Sequence, residues 1–465
     1  MLDPTTGLNG YRTAPRPRES VTLGSCTASS PSPDAHEAAA ALMARLDDGT
    51  RTVEEATEDH RHRLRTLFEL PDDTKIALLP SGTDAIYLVS SLALTDADRV
   101  HHVVVGASEL GGGTLRAARG QAISARAPHL EEPQLDLGAP LDGLAEVCSA
   151  EPVYLRDTEG RRREMAEVDA YVAQQVRQAA KTHRVVLHLV VHSKTGLRAP
   201  STTACIRLAE ELGDRLVVLV DAAQGRLAPR DVRRALSHGF IVLFTGSKFY
   251  SGPPFSGALL LPPPYDRDPG PLVEVLGDWF SRANLPPSWT DARASLRQEA
   301  NPGLALRWEA AMHEIEAYHA LSVREREFVY NCFSAAVYEA FGTSAAIDLH
   351  VPTSAPHELM SALGLQPTVF CFEVLGPDGP LPADQLRRLH TLVDTIDEGS
   401  AFHLGQPVAL GPPGDIQSAV LRVALGARTV IDHAHEPQNC AARFRTTMYA
   451  ARHRIEALVA SGAVT

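Results

Sequence analysis

Cysteine is scarce and unpaired in its spacing. The 465 residues carry six, at 26, 148, 205, 332, 371 and 440, with no CxxC motif. That excludes a disulfide framework and a zinc knuckle, and it reads as reduced packing thiols in a cytoplasmic protein. Cys26 stands apart because it sits in the polar stretch SCTASS. No apolar run approaches the ~18 residues of a membrane span. The opening segment MLDPTTGLNGYRTAPRPRES has no apolar core, so it does not read as a signal peptide. Basic residues are outnumbered, 44 against 57 acidic, for a net charge of −13. This balance argues against a nucleic-acid backbone as partner but leaves room for a local anion pocket. Aromatics make up only 6%, too few for base-stacking platforms. No histidine pair shows metal spacing with a carboxylate, so no metal is expected.

The remaining composition is that of a globular protein, 44% hydrophobic and 22% charged. The length suggests a large domain and a smaller one. Residues 1–35, rich in Pro, Ser and Thr, read as an extended arm. Helical patterns follow at 33–46 and 54–68. Then six short apolar runs appear: KIALLPSG, HHVVVGAS, RVVLHLVVHS, RLVVLVDAA, FIVLFTGS and GALLLP. Helix-like segments at 83–94, 165–182, 201–212 and 229–237 separate most of them. This alternation predicts a largely parallel sheet covered on both faces. The run PPPYDRDPGP marks its end. Residues 304–340 form one long helical pattern leading into a second domain. That domain has strands near TVFCFEVL and AVLRVALG, a helix near 383–396 and a closing helix at 436–459. The predicted division is 1–60 as arm and helix packing with the small domain, 61–300 as the large domain, and 301–465 as connecting helix and small α+β domain.

In such a sheet, functional groups gather at the carboxyl ends of the strands. KIALLP is followed by Ser81, Gly82, Thr83 and Asp84 at a predicted helix start, where small residues and free N–H groups suit a phosphate. The same four residues would also serve as an ordinary turn and cap. RLVVLV leads into Asp221, and FIVLF into Thr245, Ser247 and Lys248. A carboxylate and an ammonium at buried strand ends are costly unless used, although a helix cap and a snorkelling lysine are the plain structural alternatives. Jointly, an anion loop, an aspartate and a lysine one strand later match the needs of pyridoxal phosphate: donors for its phosphate, a carboxylate for its ring nitrogen and an amine for its aldehyde.

With these residues the sequence resembles fold-type I pyridoxal-phosphate enzymes, in the class V aminotransferase and cysteine desulfurase branch. The likeness is close over 80–261 and looser elsewhere. It implies a mainly parallel, seven-stranded sheet in the large domain. VDAAQG is similar to the family's Asp-x-x-Gln, which implies Asp221 on the ring nitrogen and Gln224 on the ring oxygen. TGSK implies Lys248 as the Schiff-base lysine, with Thr245 and Ser247 joining Ser81, Gly82 and Thr83 around the phosphate. HSKTG resembles the segment Asn-Asn-Glu-Thr-Gly and puts Ser193 near the ring oxygen. QEANPG puts Asn301 at a partner subunit's phosphate, which implies a homodimer with shared sites. VLRVALGAR implies Arg422 as the clamp on the substrate carboxylate, with Arg428 as the alternative.

Three departures stand out. Ser247 replaces the usual histidine before the lysine. Glu109 or Leu110 falls where a ring-stacking residue is usual, followed by Gly111–Gly113, which opens room for a bulky substrate. Cys371 lies inside a strand, away from any desulfurase-type loop, which argues against desulfurase activity. The resemblance implies an external aldimine with a small amino-acid-type substrate and a Cα carbanion. The first expectation is transamination. Elimination, replacement or decarboxylation is the alternative, and a non-catalytic cofactor-binding protein is a further one. His192 and Lys194 flank Ser193 as possible proton carriers. The SCTASS stretch is placed to fold over the site.

Overall fold

The computed structural model describes residues 2–129, 135–350, 367–377, 379–395, 400–413 and 418–464. A short strand β1 (Val21–Leu23) precedes the helices Pro33–Asp47 and Val53–Phe68. Local chemistry sets where these helices begin. Ser32 accepts the Ala35 N–H with Pro33 in the first turn, and Thr52 and Glu55 form a reciprocal capping box.

The large sheet contains β2 (Lys75–Leu79), β3 (Val100–Val105), β4 (Cys148–Val153), β5 (Arg184–Val190), β6 (Leu216–Ala222), β7 (Ile241–Thr245) and β8 (Gly257–Leu261). Its order is β2-β8-β7-β6-β5-β3-β4, and only β8 runs antiparallel to its neighbours. Alternate residues enter two separate cores. Ile76, Leu78, Val218 and Val220 face one, while Ala77, Leu79, Val217 and Leu219 face the other. Both faces are therefore covered, which is why the strands read as continuous apolar runs. The strand the sequence did not signal is β4, CSAEPV. It is an edge strand with buried residues only at its ends, so nothing forces it to be apolar, and an edge tolerates Pro152.

The second sheet holds β9 (Ile347–His350), β10 (Val369–Gly376), β11 (Gly379–Pro380), β12 (Phe402–Ala409) and β13 (Ala419–Ala424). Its order is β1-β12-β13-β10-β11, with β9 also on β10. The amino-terminal arm thus supplies a strand, parallel to β12 with Val21 opposite Phe402. The long helical pattern at 304–340 is two helices, Pro302–Ala320 and Val323–Phe341. Leu321 turns extended, and Ser322 starts the second helix with a capping box to Glu325. The helix expected at 383–396 runs over Ala383–Val393, and Ile396 lies outside the described residues. Among the described residues no helix is long and apolar enough to cross a membrane.

Helix Pro302–Ala320 packs against the loop after β7. A Cβ on Gly246 or Gly252 would meet the Ala311 side chain at 2.7 and 2.6 Å. The same helix carries Glu314, fully buried, which accepts from the cap residue Ser32 through Oε1 and leaves Oε2 without a partner among the described residues. Burial pushes its carboxyl pKa up to about 7. The folded protein therefore holds this proton more tightly than the unfolded chain, so the contribution of Glu314 to stability is full below about pH 4.5 and is lost as pH rises through about 7. Urea unfolding at several pH values should show this loss, up to about 3 kcal/mol. Glu314→Gln should flatten it.

Candidate active site

The carboxyl ends of β2, β3, β5, β6 and β7 bring the expected residues to one edge of the sheet. Asp221 ends β6, buried, with the Ala223 N–H on Oδ1 at 3.0 Å. Its pKa is raised by burial, against the pull of the Ala223 N–H and the positive charge of Lys248. Lys248 follows β7, and burial lowers its pKa while Asp221 opposes. No hydrogen bond or ion pair reaches its ammonium among the described residues. Thr245 donates to the Ala223 carbonyl at 2.7 Å. Gly82 lies against the same strand ends, where a Cβ would meet Leu243 at 3.0 Å and Thr245 at 3.3 Å. The helix-start loop is thereby seated beside Asp221 and Lys248. Within it, Ser81 Oγ accepts from the Thr83 and Asp84 N–H groups at 3.2 and 3.1 Å and donates to the Asp84 carboxylate at 2.5 Å. Asp84 is buried, which raises its pKa to about 6.

Of the two residues expected at the ring face, Leu110 packs in the apolar core and Glu109 is 1% exposed. Its carboxylate accepts from Arg156 at 2.8 Å, from Ser193 at 2.6 Å and from Thr195. Ser193 accepts in turn from the N–H groups of Thr195 and Leu197. The single Ser193 hydroxyl hydrogen is thus committed to Glu109. Beside it, His192 is held neutral: burial lowers its pKa to about 3.

Arg226 was not signalled by the sequence. Its guanidinium is 1% exposed. It donates to Thr368 Oγ1 at 3.0 Å, Ser25 Oγ at 2.8 Å, the Leu425 carbonyl at 3.0 Å, and the backbone and side-chain oxygens of Gln224 at 3.3 and 3.1 Å. Gln224 donates to the Cys26 carbonyl at 3.1 Å. The SCTASS stretch is therefore mostly buried next to the site. The Cys26 thiol packs with Val369, Cys371, Val408 and Val420. Arg422 donates to the Gln406 carbonyl through Nε and Nη2, to Thr27 Oγ1 and to the Lys194 carbonyl. Arg428 instead pairs with Asp34 and Asp432 away from this cluster. Asn301 caps its own helix by accepting the Leu304 N–H at 2.9 Å. Away from the site, the ligand atoms of Asp348, His350 and Glu373 lie within 4.8 Å of one another across β9 and β10, a grouping that sequence spacing cannot show.

This layout recurs in solved structures. A NifS-like protein superposes with a TM-score of 0.53 at 12% identity, over 92% of this chain and 99% of its own. The cystine C–S lyase C-DES, in complex with cysteine persulfide, gives 0.53 at 15%, over 92% and 97%. Serine palmitoyltransferase from Sphingomonas wittichii gives 0.53 at 12%, over 95% and 89%. This chain has the fold-type I architecture. No family model and no curated protein matches the sequence. The fold-type I likeness therefore rests on the shape of the chain.

Within this fold-type I chain, the Glu109–Arg156 pair ties the loop after β3 to the loop after β4. Removing one partner of a buried pair strands the other charge. Glu109→Ala should therefore cost about 3–5 kcal/mol in urea unfolding. Glu109→Gln, which keeps an acceptor for Arg156, should cost less than half of that.

Proposed function

We propose that the chain is a pyridoxal-phosphate enzyme acting on an amino-acid-type small-molecule substrate. The observation that carries this reading is the convergence of Lys248, Asp221 and the loop Ser81–Thr83 at adjoining strand ends. The residues present suit the cofactor. Lys248 is an amine without a partner, Asp221 a buried carboxylate beside it, and Gly82 leaves a cradle that a side chain would fill. Ser247 adds a hydroxyl with no partner among the described residues. Bound pyridoxal phosphate supplies an aldehyde for the lysine and a ring that delocalises the electron pair left at Cα.

The protein's own groups then divide the work. Asp221 would face the ring nitrogen, and its charge keeps a proton there. Gln224 has one amide hydrogen beyond its bond to Cys26, which suits a ring oxygen. Lys248, its pKa lowered by burial, would hold the cofactor and serve as a base for the substrate's Cα proton. Glu109 is saturated by three donors and His192 is neutral, so neither is poised to protonate a leaving group. One lysine moving one proton between two carbons is what transamination requires, and that is the favoured outcome. Elimination or replacement is the alternative. We further propose a homodimer, with Asn301 reaching the partner's site.

Wild-type protein given pyridoxal phosphate should develop a visible absorbance band. Borohydride should then fix the cofactor's mass on the peptide containing Lys248. Lys248→Ala should lose both signals. Asp221→Ala should keep the adduct but lower turnover by 100-fold or more, on the order of 3 kcal/mol of barrier. A keto acid formed only when an amino acceptor is present would identify transamination, and release of ammonia without an acceptor would identify elimination. A band that no amino acid perturbs would point to a non-catalytic binder.

A further inference from the structure

Arg422 has little left to offer a substrate. Its guanidinium carries five N–H donors. The Gln406 carbonyl takes two, at 3.2 and 2.7 Å, Thr27 Oγ1 a third at 3.0 Å and the Lys194 carbonyl a fourth at 3.1 Å. A carboxylate gripped by two parallel N–H groups needs a free edge of the fork, and no such edge remains.

Lys194 is in the opposite condition. Its backbone is pinned on both sides, with its N–H donated to the Glu109 carbonyl at 2.9 Å and its own carbonyl held by Arg422. Its side chain is half-buried, and no hydrogen bond or ion pair to its ammonium occurs among the described residues. The positive charges of Arg422 and Lys248 act on it from β13 and from the loop after β7. The opposing carboxylate is Glu109, after β3, and Glu109 is occupied by Arg156, Ser193 and Thr195. In HSKTG, moreover, lysine stands where the similar segment Asn-Asn-Glu-Thr-Gly has glutamate. A half-buried cation with no counter-ion among the described residues, within the electrostatic reach of Lys248, suits an anion.

We propose that the Lys194 ammonium, rather than the Arg422 guanidinium, anchors the substrate's carboxylate, with Arg422 a positioning residue that holds the loop carrying it. The inference rests on the function proposed above for the same site. It gives the pocket a point charge in place of a fork, which fixes the carboxylate's position but not its plane.

The test compares ligands that differ only in the carboxylate. Cofactor-loaded protein is titrated calorimetrically with L-alanine and L-alaninamide. Protein without added cofactor is titrated with propionate and propionamide. The wild type should favour each carboxylate by about tenfold or more, the yield of one charge-assisted contact. Lys194→Met should lose that preference with little change in melting temperature, and Lys194→Arg should keep it. Burial, Arg422 and Lys248 lower the Lys194 pKa to about 8, so the wild-type preference should fall above that pH while Lys194→Arg holds it. Arg422→Met should weaken both members of each pair. The proposal is overturned if the wild type shows no preference. It is equally overturned if Lys194→Met keeps the preference, with or without its loss in Arg422→Met. Failure to form the visible band would overturn the cofactor reading. The propionate arm reads the anchor without it.

Discussion

A single buried cation sets the architecture of the site. Arg226 sits at the end of the loop that carries Asp221 and Gln224, and among the described residues no carboxylate pairs with it. Burial lowers its pKa to about 10. An isolated buried charge is costly, and the cost is met here by complete hydrogen bonding. All five N–H groups find oxygens, and the guanidinium lies 5.2 Å from the centre of the Phe249 ring. Those partners come from four places: Ser25 in the amino-terminal arm, Gln224 after β6, Phe249 after Lys248, and Thr368 and Leu425 beside the second sheet. Movement of any one would strand part of the charge. The arm, the cofactor-side loops and the small sheet are thus held in one arrangement.

The same logic of complete satisfaction runs through the rest of the pocket. Glu109 is silenced by Arg156, Ser193 and Thr195, and four of the five Arg422 N–H groups by two carbonyls and a hydroxyl. What remains uncommitted is informative because so much is committed. Among the described residues, Lys248 and Lys194 keep free ammonium groups and Ser247 a free hydroxyl. The chain carries a net charge of −13, yet the donors left open around this edge of the sheet are two ammonium groups and a hydroxyl, set against the carboxylate of Asp221. A pocket with that balance selects anions although the molecule as a whole repels them.

Much of the large sheet was legible in the sequence because its strands are buried on both faces and so must be apolar throughout. The helices separating them showed as polar, periodic segments between the apolar runs. Asp221 and Lys248 were legible for a related reason: a charged group at the end of an apolar run is conspicuous because it is expensive. The edge strand β4 had no such constraint and left no signal. The break at Leu321 and Ser322 was hidden because both flanking helices bury similar residues, although the Ser-x-x-Glu of the capping box was there to be read. The hydroxyl of Ser193 and most of the Arg422 donors are used internally, which residue type alone could not show.

Sequence alone determined the doubly covered sheet, the positions of Lys248, Asp221 and the Gly82 loop along the chain, and the chemistry those residue types suit. Only the tertiary structure decided which charges are free. Local spacing cannot reveal that Arg226 draws on Ser25 and Leu425, or that Arg422 spends its donors on Gln406, Thr27 and Lys194. Those acceptors lie up to hundreds of residues away. A side chain's chemistry is written in its type, but its availability depends on the partners that folding brings within about 3 Å.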